Sequence, residues 1–126
     1  KNEEVPSRRN WTWWDGDLLR ETFKGDDNRW GASSSSNGRS LSIVKWKGET
    51  LTQDIEGDIL MIADLYGDWR EEIITALPGE IRIYTTNLPA KDRRTTLMQD
   101  GIYRSYVAHR SMGYPQAPVP SYYLGE

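Results

Sequence analysis

The chain has 126 residues, of which 37% are hydrophobic and 28% are charged, a size that fits one soluble domain but not two ordinary ones. Its formal net charge is -3 and no run of five like charges occurs, so a nucleic-acid partner is not favoured. The absence of cysteine excludes disulfides, thiolate metal sites and a cysteine nucleophile, and it leaves oxygen atoms as the ligands for any metal.

The apolar stretches of the sequence are short. Residues 59–63 form one of the longest, whereas a membrane helix needs about 20 apolar residues. No signal-peptide pattern opens the sequence, so we expect a soluble, mature segment without a membrane partner. Residues 1–10 are polar and charged without periodicity, which predicts an extended lead-in before a single domain over 11–126.

The next segments predict turns and strands. Residues 11–21 combine three tryptophans with the turn Asp15-Gly16-Asp17, and residues 24–40, rich in Gly, Asn and Ser, predict an exposed loop. Short apolar or alternating runs then predict strands at 41–47 and 58–64. If the tryptophan-rich segment is a strand, either Trp13 or Trp14 faces inward, because neighbouring side chains alternate.

A β-hairpin is the clearest element of the second half. Residues 72–76 and 80–86 are separated by Leu77-Pro78-Gly79, which predicts a three-residue connection. After Met98 we expect at most one helical turn, near 100–105, before a proline-rich tail. Since no long amphipathic helical pattern occurs, the fold class is predicted as all-β, with four or more short strands in meander sheets.

The densest group of charged residues lies at 64–72, where carboxylates occupy loop positions one, five and nine. Calcium takes six to eight hard oxygen ligands, so this spacing suits a calcium-binding loop. The candidate ligands are Asp64, Asp68 and Glu72, with Glu71 beside them. The alternative is a solvated acidic turn in which Arg70 pairs with Asp68 or Glu71; Tyr66 at position three weakens the match to a calcium loop.

Two further groups of residues could bind ligands. Asp15 and Asp17 could hold another cation, although a plain tight turn uses the same residues. Near the C-terminus, Arg104, His109 and Tyr114, with Arg110 beside them in the sequence, could contact a sugar, since arginine can clamp a carboxylate with two hydrogen bonds. Solvated arginines and a structural histidine are the alternative. No hydrolytic triad or zinc site is indicated.

Several separated motifs, in order along the chain, resemble the C-terminal part of family 11 rhamnogalacturonan lyases. The matching stretches are 13–21, 63–74, 82–86, 97–100, 102–104, 112–114 and 122–125. That family is known for secreted bacterial enzymes that form an eight-bladed β-propeller with structural calcium and cleave rhamnogalacturonan I by β-elimination. The resemblance implies the same reaction, substrate and secreted or periplasmic location for the protein to which this chain belongs.

For individual residues, the resemblance implies calcium ligands at the acidic positions already named and a sugar contact at Tyr114. It leaves the catalytic base unassigned. Family members commonly carry an Asn-Gly-Thr-Lys turn before the calcium loop, where this chain has acidic residues at 53–58, and this difference implies altered binding of the uronate carboxylate. The six tryptophans and seven tyrosines could supply stacking surfaces for sugars or an ordinary core.

The length of the chain implies a piece of such a propeller. A blade takes about 40 to 50 residues, so 126 residues make two to three blades and the remaining blades would be partners. Two other hypotheses stay open for the chain alone: a calcium-dependent carbohydrate-binding module, and a structural piece that binds calcium without touching substrate.

Overall fold

The computed structural model describes residues 11–24, 40–45, 48–110, 112 and 117–124. Within these ranges, seven strands form two antiparallel sheets, followed by a 3-10 turn at Leu97–Gln99 and a helix α1 at Gly101–Arg110. The strands are β1 Trp11–Thr12, β2 Glu21–Lys24, β3 Ser40–Val44, β4 Thr50–Glu56, β5 Asp58–Ala63, β6 Glu72–Leu77 and β7 Glu80–Tyr84. The prediction of a mostly β chain is confirmed. The expected lead-in, most of the loop at 24–40, and Tyr114 lie outside the described residues.

The first sheet has the strand order β1-β2-β3-β4 and buries one aliphatic and aromatic face. Phe23 pairs with Ile43, and Leu41 pairs with Ile55, so alternate residues of three strands lie on the same side. The second sheet, β5-β6-β7, contributes Ile59, Ile62 and Ile73 to the same core, and Trp14 completes it. The main core therefore lies between the two sheets.

Gly57 is the single residue between β4 and β5, where the chain passes from the first sheet to the second. Its φ of +96° lies in the left-handed region, and a Cβ at this position would come within 2.6 Å of the carbonyl oxygen of Ala76. Glycine is required here for both reasons. The turn between β4 and β5 therefore lies directly against the end of β6.

The hairpin predicted at 72–86 is present, but its connection is shorter than expected. Leu77 pairs with Glu80, so the turn has two central residues, Pro78 and Gly79, rather than three. Pro78 followed by Gly79 at φ +80° is the combination typical of a type II turn. The sequence alone assigns Leu77 to the connection, because a residue before a proline is compatible with a turn as well as with the end of a strand.

The helix α1 is longer than predicted, with ten residues instead of one turn. Asp100 begins it, since its Oδ1 accepts a hydrogen bond from the Ile102 amide. Tyr103 is the buried residue of α1, whereas Ile102 is 51% exposed. An apolar stripe this sparse explains why the sequence did not predict the helix. Neither α1 nor the 3-10 turn is long and apolar enough to cross a lipid bilayer.

A second, smaller cluster packs α1 against the loops that follow β1 and β5. Its buried members are Trp13, Trp69, Leu97, Tyr103 and Leu124. Trp13 and Trp14 are both buried, at 8% and 3% exposure, in different clusters. The expected inward and outward alternation does not apply to them, because β1 ends at Thr12 and the chain turns directly after it.

Candidate functional site

The second acidic loop, residues 64–72, is organised around the buried carboxylate of Asp64. Its Oδ1 accepts hydrogen bonds from the amides of Gly67 and Asp68, at 2.9 and 3.1 Å. Its Oδ2 accepts from the Trp69 amide, the Thr96 hydroxyl and the Leu97 amide, at 3.1, 2.7 and 2.8 Å. A carboxylate offers about four lone-pair sites. Five protein donors therefore surround both oxygens of Asp64, and its role as a calcium ligand stays a prediction.

The other carboxylates of this loop also accept hydrogen bonds from the protein. Glu72, buried at the start of β6, accepts from the amides of Leu65 and Tyr66 at 2.8 and 3.2 Å. Asp68 accepts from the amide and the side chain of Arg70, and their charged groups form an ion pair. The pairing of Arg70 with Asp68 was the alternative to a metal site. The acidic pattern of this loop here serves to shape its backbone.

Glu71 points away from this loop and joins it to the segment after β1. Its Oε2 accepts from the Trp13 amide at 3.0 Å, and its own amide donates to the Trp13 carbonyl at 2.9 Å. The Tyr103 hydroxyl donates to Glu71 Oε1 at 2.8 Å and accepts from the Asp64 amide at 3.0 Å. Burial raises the pKa of Glu71, although the charge of Arg20 and these hydrogen bonds oppose the rise.

The first acidic loop, residues 15–21, brings three carboxylates together. One oxygen from each of Asp15, Asp17 and Glu21 lies within 4.8 Å of the others. These residues could hold a metal ion, because clustered carboxylate oxygens are the ligands that hard cations prefer. Lys45 Nζ also lies beside this cluster, 2.5 Å from Asp15 Oδ2 and 2.6 Å from Asp17 Oδ2. Bringing in a metal ion would require the ammonium group to move.

The charges of this cluster affect one another. Burial raises the pKa of Glu21 to about 8, and the negative charges of Asp15 and Asp17 add to the rise, while the hydrogen bond from the Trp14 amide opposes it. Partial burial alone would raise the pKa of Asp17, but hydrogen bonds from Lys45 and the Leu19 amide outweigh it and the pKa is lowered. A neighbouring cation would therefore favour the ionised form of Glu21.

The two acidic loops share one hydrogen-bonding pattern. Each contains a glycine in the left-handed region, Gly16 at φ +79° and Gly67 at φ +76°. In each loop, the aspartate directly after the glycine accepts a hydrogen bond from the amide two residues after that aspartate. The glutamate five residues after the glycine accepts a hydrogen bond from the amide two residues before the glycine. The four bonds are Leu19 to Asp17, Arg70 to Asp68, Trp14 to Glu21 and Leu65 to Glu72.

This equivalence explains why the first loop has the denser cluster. The residue before the glycine is Asp15 in the first loop and Tyr66 in the second. The sequence predictions included Asp15 and Asp17 but missed Glu21, which lies at the first position of β2. The signal that would have found it is the spacing Gly-Asp-x-x-x-Glu, which occurs at 16–21 and again at 67–72.

Arg104 and His109, two of the residues predicted to contact a sugar, are not brought together. Arg104 and His109 are five residues apart on α1, which places them about 140° apart around the helix axis. Arg104 donates to the carbonyls of Met98 and Gln99, at 3.0 and 3.4 Å. Arg110 donates to the carbonyls of Ile59 and Leu60 on β5, so it attaches α1 to the edge of the second sheet.

An open groove of about 640 Å³ lies beside the start of α1 and was not predicted from the sequence. Its walls include two arginines and an aromatic ring: Arg93, Arg94 and Tyr122. Asp100, also on the wall, accepts hydrogen bonds from the amides of Ile102 and Ser121. The size suits a sugar unit, and guanidinium groups can pair with a carboxylate.

Comparison with known proteins identifies close relatives. The chain is 40% identical to rhamnogalacturonan endolyase YesW of Bacillus subtilis (strain 168), over 97% of this chain and 20% of the relative. It is 35% identical to rhamnogalacturonan exolyase YesX of the same organism, over 98% of this chain and 22% of the relative. The chain thus spans about a fifth of the length of the curated relatives it matches.

Structure and sequence comparisons agree. The crystal structure of rhamnogalacturonan lyase YesW matches with a TM-score of 0.71 and 35% identity, over 96% of this chain and 21% of that chain. The family model described as rhamnogalacturonan lyase family 11, C-terminal domain, matches residues 2–126. The resemblance inferred from the separated motifs is confirmed, and the chain belongs to the C-terminal domain of the family 11 rhamnogalacturonan lyases.

Proposed function

We propose that the protein to which this chain belongs is a rhamnogalacturonan lyase that degrades the pectic polymer rhamnogalacturonan I by β-elimination. The observation that carries this proposal is the match of the C-terminal domain family over residues 2–126. The names of the two relatives, an endolyase and an exolyase, support it and leave both modes of cleavage open.

The proposed reaction removes the proton α to a uronate carboxylate and expels the sugar linked at C4, leaving an unsaturated uronate. A cation or an arginine stabilises the enolate-like intermediate by its positive charge. Because the chain spans about a fifth of its relatives, we place most of the catalytic groups in the rest of the protein. Tyr114, Arg104 and His109 remain our proposed sugar contacts.

We infer that the two sheets are blades of a β-propeller and that the rest of the propeller is their partner. The first sheet supports this view, since its four antiparallel strands follow one another in sequence order, as in a propeller blade. A polymeric substrate cannot cross a cell membrane intact, which supports a secreted or periplasmic location.

We propose calcium as the metal ion, at the first acidic loop rather than the second. The three clustered carboxylates of the first loop support this site, whereas Asp64 is already surrounded by five donors. Calcium bound there would offset most of the negative charge of Asp15, Asp17 and Glu21 and would stabilise the entry into β2. Its proposed role for this chain is structural.

Ultraviolet absorbance of the unsaturated uronate tests the activity. The full-length protein is mixed with rhamnogalacturonan I in calcium and then in chelator, and we expect absorbance to grow with calcium. A polymer of galacturonate alone serves as the substrate control. Absence of growth with every calcium-loaded preparation would contradict the lyase assignment.

A second candidate function, for this chain alone, is calcium-dependent carbohydrate binding without catalysis. The groove with Arg93, Arg94 and Tyr122 favours it, because it combines positive charge with a ring that can stack on a sugar. This candidate predicts that the protein is retained on pectic polysaccharide without releasing unsaturated product. Substitution of Arg93 by Gln should weaken retention, with Lys91→Gln as a control for charge outside the groove.

A further inference from the structure

The groove beside the start of α1 lies between two segments of the chain. One wall is the connection that leads into α1 and contains Arg93, Arg94 and Thr95, and the other is the C-terminal segment with Ser121 and Tyr122. Its volume of about 640 Å³ lies in the range of small-molecule sites. Because the groove is open to solvent, one unit of a longer polymer can lie in it.

Both walls of the groove are held in place. Asp100 accepts hydrogen bonds from the amides of Ile102 and Ser121, so it ties the C-terminal segment to the first turn of α1. Leu124 is buried and packs in the same cluster as Leu97, which joins the two walls a second time. A groove with fixed walls binds a ligand without the cost of ordering them first.

The two arginines of the groove have different surroundings. The guanidinium group of Arg94 lies 5.8 Å from the centre of the buried Trp69 ring, and the Trp69 indole donates to the Asp92 carbonyl at 2.9 Å. Arg94 therefore packs against the protein. Arg93 is exposed, and among the residues that the structure describes no acidic side chain forms an ion pair with it. Its guanidinium group is available to an anion in the groove.

We propose that this groove binds a uronate unit of an acidic polysaccharide, and that Arg93 is the residue that selects the carboxylate. Arginine forms two parallel hydrogen bonds with a carboxylate, and the half-exposed ring of Tyr122 offers a flat surface to the sugar. Thr95 and Gln99, also on the wall, can form hydrogen bonds with sugar hydroxyls. The inference rests on the proposed function for its ligand class and adds the residue that distinguishes an acidic sugar from a neutral one.

The groove lies at the end of β5 opposite to the acidic residues at 53–58. Arg110, at the end of α1, donates to the Ile59 carbonyl near the start of β5, whereas Tyr103, near the start of α1, accepts from the Asp64 amide just after β5. A strand of this length spans about 20 Å. Exposed charges are largely screened beyond about 8 Å at physiological ionic strength. The carboxylates at 53–58 therefore do not oppose an anion in the groove.

Cysteine protection in the full-length protein tests this site. Thr95→Cys places a thiol at an exposed position of the groove wall, and Ser105→Cys, exposed on α1 and outside the groove, is the matched control. The chain contains no native cysteine, and peptide mapping assigns the label if other parts of the protein contain one. The probes are galacturonate and, as the neutral sugar of the same ring geometry, galactose.

We expect galacturonate to slow the labelling of Thr95→Cys about threefold when its concentration is about twice its Kd. Galactose at the same concentration should leave the rate nearly unchanged, and neither sugar should affect Ser105→Cys. Addition of Arg93→Gln to Thr95→Cys should abolish the protection. Addition of Lys91→Gln, which removes a nearby charge outside the groove, should retain it.

Several results would overturn the proposal: no protection by galacturonate, equal protection by galactose, or protection that survives Arg93→Gln. A Thr95→Cys thiol that reacts in urea but not in the native protein would also overturn it, because the groove would then be covered by other parts of the polypeptide. If Thr95→Cys does not fold, Gln99→Cys gives the same readout from another exposed position of the wall.

Release of unsaturated product from rhamnogalacturonan I is measured on the same samples. Protection by galacturonate without product release would contradict the proposed lyase function alone. Product release without protection would contradict the uronate site alone.

Discussion

Asp64 shows how one side chain can shape a whole loop. Amide and hydroxyl donors from two segments converge on its carboxylate. We expect Asp64→Asn to lower the free energy of unfolding by about 3 kcal/mol, since the new amide group faces donors instead of accepting from them. Urea unfolding measures the change. The loss should be the same in calcium and in chelator; a loss seen only with calcium would identify Asp64 as a metal ligand.

Glu71 makes the stability of the protein depend on pH. Burial raises its pKa in the folded state above the ordinary value of 4.5. Between these two values the folded state binds more protons than the unfolded state, so the free energy of unfolding falls as the pH rises. The contribution of Glu71 is fully present below pH 4.5 and is lost through the folded-state pKa.

In Glu71→Gln, the free energy of unfolding should therefore fall less steeply as the pH rises. The amide oxygen can still accept from the Trp13 amide, and its NH₂ group can donate to the Tyr103 hydroxyl, so the fold is retained. Urea unfolding at a series of pH values from 4.5 to neutral provides the comparison with the unchanged protein. An unchanged slope in the variant would mean that other groups cause the pH dependence.

Lys45 supplies a positive charge to the first acidic loop, and this charge affects how strongly a metal ion would stabilise the loop. Its ammonium group pairs with Asp15 and Asp17 and occupies the position of a counter-charge. In Lys45→Met, this charge is absent, and we expect calcium to raise the melting temperature more than in the unchanged protein. Asp17→Asn should reduce the calcium effect. If calcium shifts neither the parent nor Lys45→Met, the calcium assignment at this loop is wrong.

At the scale of the elements, the passage between the sheets depends on Gly57. We expect Gly57→Ala to destabilise the protein by about 3 kcal/mol, because it combines a left-handed φ with a clash against the Ala76 carbonyl. Gly79→Ala is the matched control, with a similar φ of +80° but no atom within 4 Å of the added Cβ, and should cost about 1 kcal/mol. Thermal unfolding of both variants checks the difference; equal losses would show that the close approach is unimportant.

The elements also show what local sequence can and cannot predict. The β6-β7 hairpin was predictable, since Ile81 and Ile83 alternate with polar neighbours around a Pro-Gly turn. The helix α1 was not predictable at its full length, because the residue that it buries is Tyr103 alone. Its apolar residue Ile102 is exposed, so the sequence shows no clear apolar stripe. Tyr103 packs in a buried cluster that includes Trp69, more than 30 residues earlier in the chain, and a periodicity argument does not detect such a partner.

At the scale of the whole molecule, the family and its mostly β fold were predictable from separated motifs. The different hydrogen-bond and ion-pair partners of the carboxylates in the two acidic loops were not. Both loops have carboxylates at similar spacing. The donors around these carboxylates include Thr96 and Leu97, more than 30 residues after Asp64, and Lys45, 28 residues after Asp17. Such long-range donors decide between a structural carboxylate and a candidate ligand.

The paired hydrogen bonds between Trp13 and Glu71 connect the end of β1 in the first sheet to the start of β6 in the second. If either sheet frays at this point, the hydrogen bonds between Trp13 and Glu71 break. Glu71 then loses its partners in a buried site, which is costly. The two sheets should therefore melt as one cooperative unit. In hydrogen exchange, the amides of Trp13 and Glu71 should open together, with the same free energy as global unfolding.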